Sequence, residues 1–174
     1  MILKVWHRLV NTECVVVKIG DDIVYPIFKN ASTNLIKIAD QTFVNEEINK
    51  FDLITVFIRD PSERFTSGVN KYCNINNLEI KDAVDKISAG ELVDRHFAPQ
   101  WVWLLHLHKY HKKKVLLKPL SSVKEICKLT NLKEDKQFVM VPREFVEVDQ
   151  RLMQYIGEAM DLGLLIKECK IVLS

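Results

Sequence analysis

The segment that most constrains the fold is Leu53–Ile58, a run that reads LITVFI. Its residues are apolar or β-branched throughout, so it predicts a central strand buried on both faces of a sheet. After it, Asp60 can cap a helix, Pro61 suits the first helical position, and Glu63 stands where a capping box places a carboxylate. A buried strand that leads directly into a helix predicts an α/β domain.

The rest of the chain continues this alternation of strands and helices. Further strands are predicted at residues 14–19, 23–28, 115–117 and 171–173. Helices are predicted at residues 32–39, 44–50, 61–72, 80–87, 91–97, 101–110, 121–129 and 149–160. Strands separated by helices imply a mostly parallel central sheet flanked by helices. The 174 residues suit a single compact domain, residues 1–174, and are too few for two ordinary domains.

Composition and charge limit the classes of function. Hydrophobic residues make up 48% of the chain and charged residues 28%, which is the profile of a globular rather than a disordered protein. The 25 basic and 23 acidic residues leave a net charge of +2. This balance, and the lack of a basic stripe interleaved with aromatic residues, argue against nucleic acid as a partner. Any anion site must therefore be local.

The sequence also carries expectations about the cellular compartment. The four cysteines are scattered without a C-x-x-C pair, as expected of reduced thiols in a cytosol-like environment. The first ten residues are interrupted by Lys4, His7 and Arg8, unlike the apolar core of a signal peptide. No apolar run approaches the length of a membrane span. We therefore expect a soluble, cytoplasmic protein, whose oligomeric state the sequence does not indicate.

The first strand-to-helix junction, residues 28–34 (FKNASTN), has the composition of a phosphate loop. In open α/β sheets ligands bind beyond the carboxyl ends of the strands, and a helix N-terminus offers unpaired N–H groups to an anion. Lys29 can supply charge, and Ser32 and Thr33 can add hydroxyl donors. The Walker pattern G-x-x-x-x-G-K-[ST] is absent, which disfavours an ordinary ATPase or GTPase. Alternatively, Ser32 or Thr33 caps the helix and Lys29 is a solvated strand end.

The second junction follows the buried strand and is richer in basic residues. Arg59 ends the strand, and the helix after it carries three polar residues on one face: Arg64, Ser67 and Lys71. Arginine suits bidentate recognition of phosphate, and a hydroxyl one turn away can complete the site. Alternatively, Arg64 and Lys71 form a solvated face, and Arg59 pairs with Asp60 or Glu63.

Three stretches of the sequence together resemble the sulfotransferase family. Residues 28–34 resemble the loop that binds the 5′-phosphosulfate in that family, and residues 57–72 (FIRDPSERFTSGVNKY) resemble its 3′-phosphate strand and helix. The second motif is most similar to that of the carbohydrate sulfotransferase branch, R-D-P-x-E-R-x-x-S-x-x-x-K. Residues 94–100 (DRHFAPQ) resemble the short His-aromatic-x-P-Q segment of the same branch.

The resemblance implies a P-loop-like three-layer domain that binds 3′-phosphoadenosine 5′-phosphosulfate without a metal. It would transfer the sulfuryl group to a hydroxyl acceptor, for example a carbohydrate or another small molecule. Lys29 would stabilise the charge on the bridging oxygen as that oxygen leaves. The implied cofactor-binding residues are Lys29, Asn30, Ala31, Ser32, Thr33 and Asn34 at the 5′ end, with Arg59, Ser67 and Lys71 in the second motif.

Transfer to a hydroxyl also requires a general base, most simply a histidine or a carboxylate. His96 is the first choice because it lies in the third motif; its alternative is a hydrogen-bonded structural histidine. Glu46 and Glu47 are second choices, since they lie between the two phosphate motifs. Their alternative is a solvated helix end.

A cluster of histidines and lysines, residues 106–114 (HLHKYHKKK), has no assigned role in these motifs. His108 and His111 can share a helix face, but His106 cannot join them, and no nearby carboxylate or cysteine completes a zinc site. The cluster is either a basic rim for an acidic acceptor or a solvated helix end.

Two other classes of function compete with a sulfotransferase. One is a binding module of the same fold that holds a nucleotide without catalysis. The other is a nucleotide kinase-like phosphotransferase, which the missing Walker lysine disfavours.

Overall fold

The computed structural model describes residues 12–129 and 171–173. The strands are β1 (Val15–Ile19), β2 (Asp22–Tyr25), β3 (Gln41–Val44), β4 (Leu53–Ile58), β5 (Lys114–Pro119) and β6 (Ile171–Leu173). The α-helices are α1 (Ser32–Lys37), α2 (Pro61–Asn76), α3 (Ile80–Ser88), α4 (Gln100–Tyr110) and α5 (Val123–Leu129). Two short 3₁₀ helices lie at Asn45–Lys50 and Leu120–Ser122. No helix in these ranges is long and apolar enough to cross a membrane.

The strands form one mixed sheet in the order β3-β1-β2-β4-β5-β6. The adjacent pairs β2–β4, β4–β5 and β5–β6 are parallel. Strand β1 is antiparallel to both β2 and β3. A two-residue turn at Gly20, whose φ is 59°, joins β1 to β2, and so short a connection only permits an antiparallel pair. The predicted α/β class is confirmed, with an antiparallel β1 and β3 added to the parallel strands.

Strand β4 is buried on both faces, as its sequence predicts. Ile54 and Val56 belong to the apolar cluster on one face, where they meet Leu107 of α4. Phe57 belongs to the cluster on the other face, together with Leu35 of α1 and residues of α5. Because the side chains of a strand point alternately to either side, a run of apolar and β-branched residues fits this double burial. Helices therefore cover both faces of the sheet around β4.

Helix α2 begins where its capping residues predict. Asp60 Oδ1 accepts the backbone N–H of Glu63 at 2.9 Å, and Pro61 occupies the first helical position. The helix extends to Asn76, four residues beyond the predicted end, and stops at Asn77 in the left-handed conformation with φ of 53°. This local chemistry fixes the direction in which the helix leaves β4.

The helix predicted at residues 91–97 is wrong. Residues 91–99, which connect α3 with α4, have a turn at 95–97 and are otherwise irregular. The Asp94 carboxylate accepts the backbone N–H of His96 at 2.8 Å, which favours a turn over a helix. Phe97 and Ala98 are nevertheless buried in the cluster between α2, α3 and α4. The apolar residues of this segment are therefore explained by their packing, not by a helix.

Other boundaries differ more modestly from the predictions. Strand β2 stops at Tyr25 because Pro26 cannot donate to the sheet, and residues 28–31 form a turn instead of extending the strand. The predicted helix at 44–50 is a 3₁₀ helix, and strand β3 before it was not predicted. The predicted helix at 149–160 lies outside the described residues.

Gly68 provides a test of this packing, because α2 approaches residues 91–99 closely at this position. A Cβ atom on Gly68 would overlap the backbone carbonyl of His96. Gly68→Ala is therefore expected to lower the free energy of unfolding by about 1–3 kcal/mol, the usual cost of overpacking, although alanine is the better helix former. Urea denaturation measures the change.

The control is Asn74→Ala, at an exposed position of the same helix. Its stability should stay within about 0.5 kcal/mol of the wild type. If Gly68→Ala proves as stable as this control, helix α2 does not approach the His96 carbonyl as closely as described.

Candidate functional site

A cleft of about 820 Å³ opens at the carboxyl ends of β2, β4 and β5. Most of the sequence-predicted site residues line it: Lys29, Ala31, Ser32, Thr33, Asn34, Arg59, Ser67, Lys71 and His96. The cleft thus joins residues from all three motifs, which are separated by up to 67 positions in the chain between Lys29 and His96. Sequence reasoning missed the contribution of the β5 end, where Ser121 and Lys124 also line the cleft.

The loop between β2 and α1 has an unusual backbone. Lys29 and Ala31 both have positive φ angles, 72° and 59°, on either side of Asn30. The backbone N–H of Asn30 donates to the carbonyl of Ile27 at 2.9 Å, which closes the turn. Left-handed residues in a turn can direct neighbouring N–H groups toward one side, as in an anion-binding nest. Residues other than glycine or asparagine rarely adopt this conformation, so surrounding contacts must hold it.

The start of α1 does not depend on a side-chain cap. Ala31 is the N-cap residue, and it provides no side-chain cap hydrogen bond. The N–H groups of Asn34 and Leu35 both donate to the Ala31 carbonyl at 3.0 Å. The N–H groups of Ser32 and Thr33 therefore precede the first helical hydrogen bond. The alternative in which Ser32 or Thr33 serves as the helix cap is wrong.

Asn30 and Gln100 connect the two strand-to-helix junctions beneath the cleft. The fully buried Asn30 donates through Nδ2 to the Phe57 carbonyl at 2.9 Å and to Gln100 Oε1 at 2.6 Å. Gln100 Oε1 also accepts the backbone N–H of Arg59 at 2.9 Å, and its Nε2 donates to the Arg59 carbonyl at 2.7 Å. The Asn30 side chain faces the protein rather than the cleft. Any contact of Asn30 with a ligand would therefore use its backbone.

Arg64 is buried, so it belongs neither to a solvated face nor to the cleft lining. Its Nη2 donates to the Phe28 carbonyl at 2.8 Å, and its Nη1 donates to the Ala98 carbonyl. Burial, and secondarily the charge of Arg59, lower the pKa of Arg64 to about 9, which leaves the guanidinium protonated at neutral pH. This cation therefore connects α2 to the backbone of the first loop and of residues 91–99.

Arg59 lines the cleft but already has a carboxylate partner. Its Nε lies 3.1 Å from Glu63 Oε2. The ion pair between Arg59 and Glu63, one of the predicted alternatives, is therefore present. Asp60 instead caps α2. The pair engages Nε of the guanidinium, and Glu63 is 65% exposed, so solvent and ions reach this pair.

The charged side chains that line the cleft are mostly cationic. The cations are Lys29, Arg59, Lys71 and Lys124, and the carboxylates are Asp60 and Glu63. Such an excess of positive charge in a concave site attracts anions, since clefts concentrate the electrostatic field of the side chains that line them. Ser67, which is buried against the cleft, adds a hydroxyl between the basic residues.

His96 is held in place by several contacts at the cleft wall. Its Nδ1 lies 2.6 Å from Asp94 Oδ1. The rings of Phe28 and Tyr72 meet its imidazole edge-on, with centroids 5.0 and 6.3 Å away. The His96 side chain is only about 15% exposed. Sequence reasoning identified His96 but not Asp94, although the D-x-H spacing was visible in the third motif.

Glu46 and Glu47 do not line the cleft. Both lie in the 3₁₀ helix that follows β3, and Glu47 Oε2 accepts the backbone N–H of Val44 at 3.1 Å as part of a capping arrangement. The solvated helix end is therefore the better description of these two residues.

The histidine and lysine cluster lies at the opposite end of the strands from the cleft. The Lys113 ammonium pairs with the Asp52 carboxylate at 2.8 Å, and the backbone N–H of Lys114 donates to the Asp52 carbonyl, at the amino ends of β4 and β5. The Nε2 atoms of His106 and His111 lie within hydrogen-bond distance of backbone carbonyls. The cluster therefore does not lie at the cleft that joins the three motifs.

Comparisons with family models, curated proteins and solved structures found no match to this chain. Within residues 12–129 and 171–173, no group of three or more His, Cys, Asp or Glu side chains is arranged to hold a metal ion.

Gln100→Met tests the connection between the junctions. The substitution removes one of the two acceptors of the Asn30 amide and the partners of both backbone groups of Arg59, and an unsatisfied buried polar group costs about 1–3 kcal/mol. We therefore expect the free energy of unfolding to fall by at least about 2 kcal/mol in denaturant titrations. Gln41→Met, on the exposed strand β3, is the matched control and should be nearly neutral. Equal effects of the two substitutions would contradict the bridging role of Gln100.

Proposed function

We propose that this protein is a sulfotransferase, with a P-loop-like domain that binds 3′-phosphoadenosine 5′-phosphosulfate. The observation that carries the proposal is that all three motifs line one cleft, although Glu46 and Glu47 do not. The cleft volume of about 820 Å³ lies in the usual range for small-molecule sites. Its excess of cations suits a ligand with several phosphate groups.

The first loop suits the 5′ end of this donor. The left-handed residues Lys29 and Ala31 shape the turn, and the N–H groups of Ser32 and Thr33 stand ahead of the first helical hydrogen bond. Backbone donors of this kind bind phosphate oxygens without needing to reorganise. The Lys29 ammonium would stabilise the negative charge that develops on the bridging oxygen as the sulfuryl group leaves.

The second junction suits the 3′-phosphate, the group that distinguishes this donor from ATP. Arg59 follows the end of β4, while Ser67 and Lys71 lie about one turn apart on the side of α2 that lines the cleft. Guanidinium, hydroxyl and ammonium groups together provide the charge-assisted hydrogen bonds that a phosphate dianion needs. Two anion sites in one cleft would suit a ligand with phosphates at both ends.

In-line transfer of a sulfuryl group requires positioning and charge stabilisation more than covalent help from the protein, as in phosphoryl transfer. His96 lies at the cleft wall with Lys29, where it would accept the proton of the attacking hydroxyl. The acceptor remains a hydroxyl compound, with a carbohydrate favoured by the family resemblance. A binding module and a nucleotide kinase-like enzyme are the alternatives that the following experiment separates.

Calorimetry with adenosine 3′,5′-bisphosphate and with ATP tests the proposal directly. We expect the bisphosphate to bind without added metal and more tightly than ATP, because Arg59 and Ser67 recognise a 3′-phosphate that ATP lacks. Preference for ATP would favour the kinase-like alternative. Bisphosphate binding without transfer from ³⁵S-labelled donor, across a panel of sugars and small alcohols, would favour the binding module.

Arg59→Ala should weaken bisphosphate binding by about 1.5–3 kcal/mol, the range for a charged hydrogen bond, or about 10- to 150-fold. Lys71→Ala should weaken it less, because this ammonium is exposed at the cleft edge. Lys86→Ala is the matched control for Lys71→Ala, since Lys86 is an exposed lysine on α3 outside the cleft lining. If Arg59→Ala binds like the Lys86→Ala control, Arg59 serves only its pair with Glu63.

A further inference from the structure

Asp94 holds the imidazole of His96 through a single carboxylate oxygen. This Oδ1 atom lies 2.6 Å from His96 Nδ1 and 2.8 Å from the backbone nitrogen of the same residue. An ionised carboxylate can only accept hydrogen bonds, so both nitrogens of His96 that face it carry protons. In the neutral ring the lone pair must then be on Nε2.

The rest of the surroundings keeps this imidazole from rotating. The rings of Phe28 and Tyr72 pack edge-on against it, and α2 meets the His96 carbonyl at Gly68, where a side chain would not fit. The side chain nevertheless stays about 15% exposed and lines the cleft with Lys29. The ring is therefore fixed in orientation but reachable from the cleft.

We propose that Asp94 is a positioning residue that makes His96 a base through Nε2 alone. The inference rests on the proposed sulfuryl transfer, in which the acceptor oxygen bonds to sulfur while the bond from sulfur to the bridging oxygen breaks. The electron pair of the broken bond stays on the bridging oxygen, beside Lys29, and the acceptor proton passes to His96 Nε2. Asp94 then stabilises the imidazolium through Nδ1–H.

Two other histidines of the chain show the opposite arrangement. His106 Nε2 lies 3.1 Å from the Thr12 carbonyl, and His111 Nε2 lies 3.0 Å from the Lys114 carbonyl. A carbonyl only accepts, so these rings carry the proton on Nε2. The Tyr25 hydroxyl, 3.1 Å from His106 Nδ1, can donate to that remaining nitrogen. These rings provide internal references for the tautomer of His96.

Long-range ¹H–¹⁵N correlation spectra of the imidazoles test the tautomer without any substrate. We expect neutral His96 to carry its proton on Nδ1 in the wild type, with His106 and His111 protonated on Nε2. Asp94→Ala should shift His96 toward the Nε2–H form, while Asp85→Ala, an exposed aspartate on α3, should leave it unchanged. Protonation of wild-type His96 on Nε2, or an unchanged spectrum in Asp94→Ala, would overturn the proposal.

Calorimetry with adenosine 3′,5′-bisphosphate on the same samples separates this inference from the proposed function. Asp94→Ala should still bind the bisphosphate, since Asp94 does not line the cleft. Absence of binding in the wild type would overturn the proposed function, and with it the role of Asp94 in transfer. Binding in the wild type together with an unaltered His96 tautomer in Asp94→Ala would overturn the role of Asp94 alone.

Discussion

The arrangement of the site depends on the buried guanidinium of Arg64. Taking a cation out of water is costly unless hydrogen-bond acceptors surround it, and here the acceptors are the carbonyls of Phe28 and Ala98. One carbonyl belongs to the loop after β2 and the other to the segment that carries His96. Because the cation can be buried only if both carbonyls approach α2, its burial sets the positions of both segments. Lys29 and His96 line the same cleft as a consequence.

The strained backbone of the first loop is held in place by buried hydrogen bonds of Asn30. Left-handed conformations at Lys29 and Ala31 cost of order 1–3 kcal/mol each. The hydrogen bonds of the buried Asn30 to Phe57 and Gln100 offset this cost, because they hold the residue between the two left-handed positions. A loop that is held in this shape in advance does not lose conformational entropy when an anion binds, which favours affinity.

The sequence predicted the elements whose signals are local. The uninterrupted run of β4 and the cap at Asp60 act within a few residues, so their prediction is confirmed. The contacts of Arg64 join residues 34 and 36 positions apart, and periodicity alone placed Arg64 on the same face as Lys71. The helix predicted at 91–97 failed for a related reason: its apolar residues pack against α2 and α4 without forming a helix of their own. Local patterns and the family resemblance thus indicated most of the residues that line the cleft, but not the contacts that hold them there.

The pair between Arg59 and Glu63 is compatible with phosphate binding rather than opposed to it. An ion pair with one highly exposed partner contributes about 0–1 kcal/mol, since solvent screens it and two side chains lose freedom. A phosphate dianion in the same cleft can engage the guanidinium with two parallel hydrogen bonds and carries more charge than one carboxylate. If the protein binds its donor as proposed, exchange of Glu63 for such a ligand would therefore be favourable, and in the absence of ligand Glu63 pairs with the Arg59 side chain at the cleft.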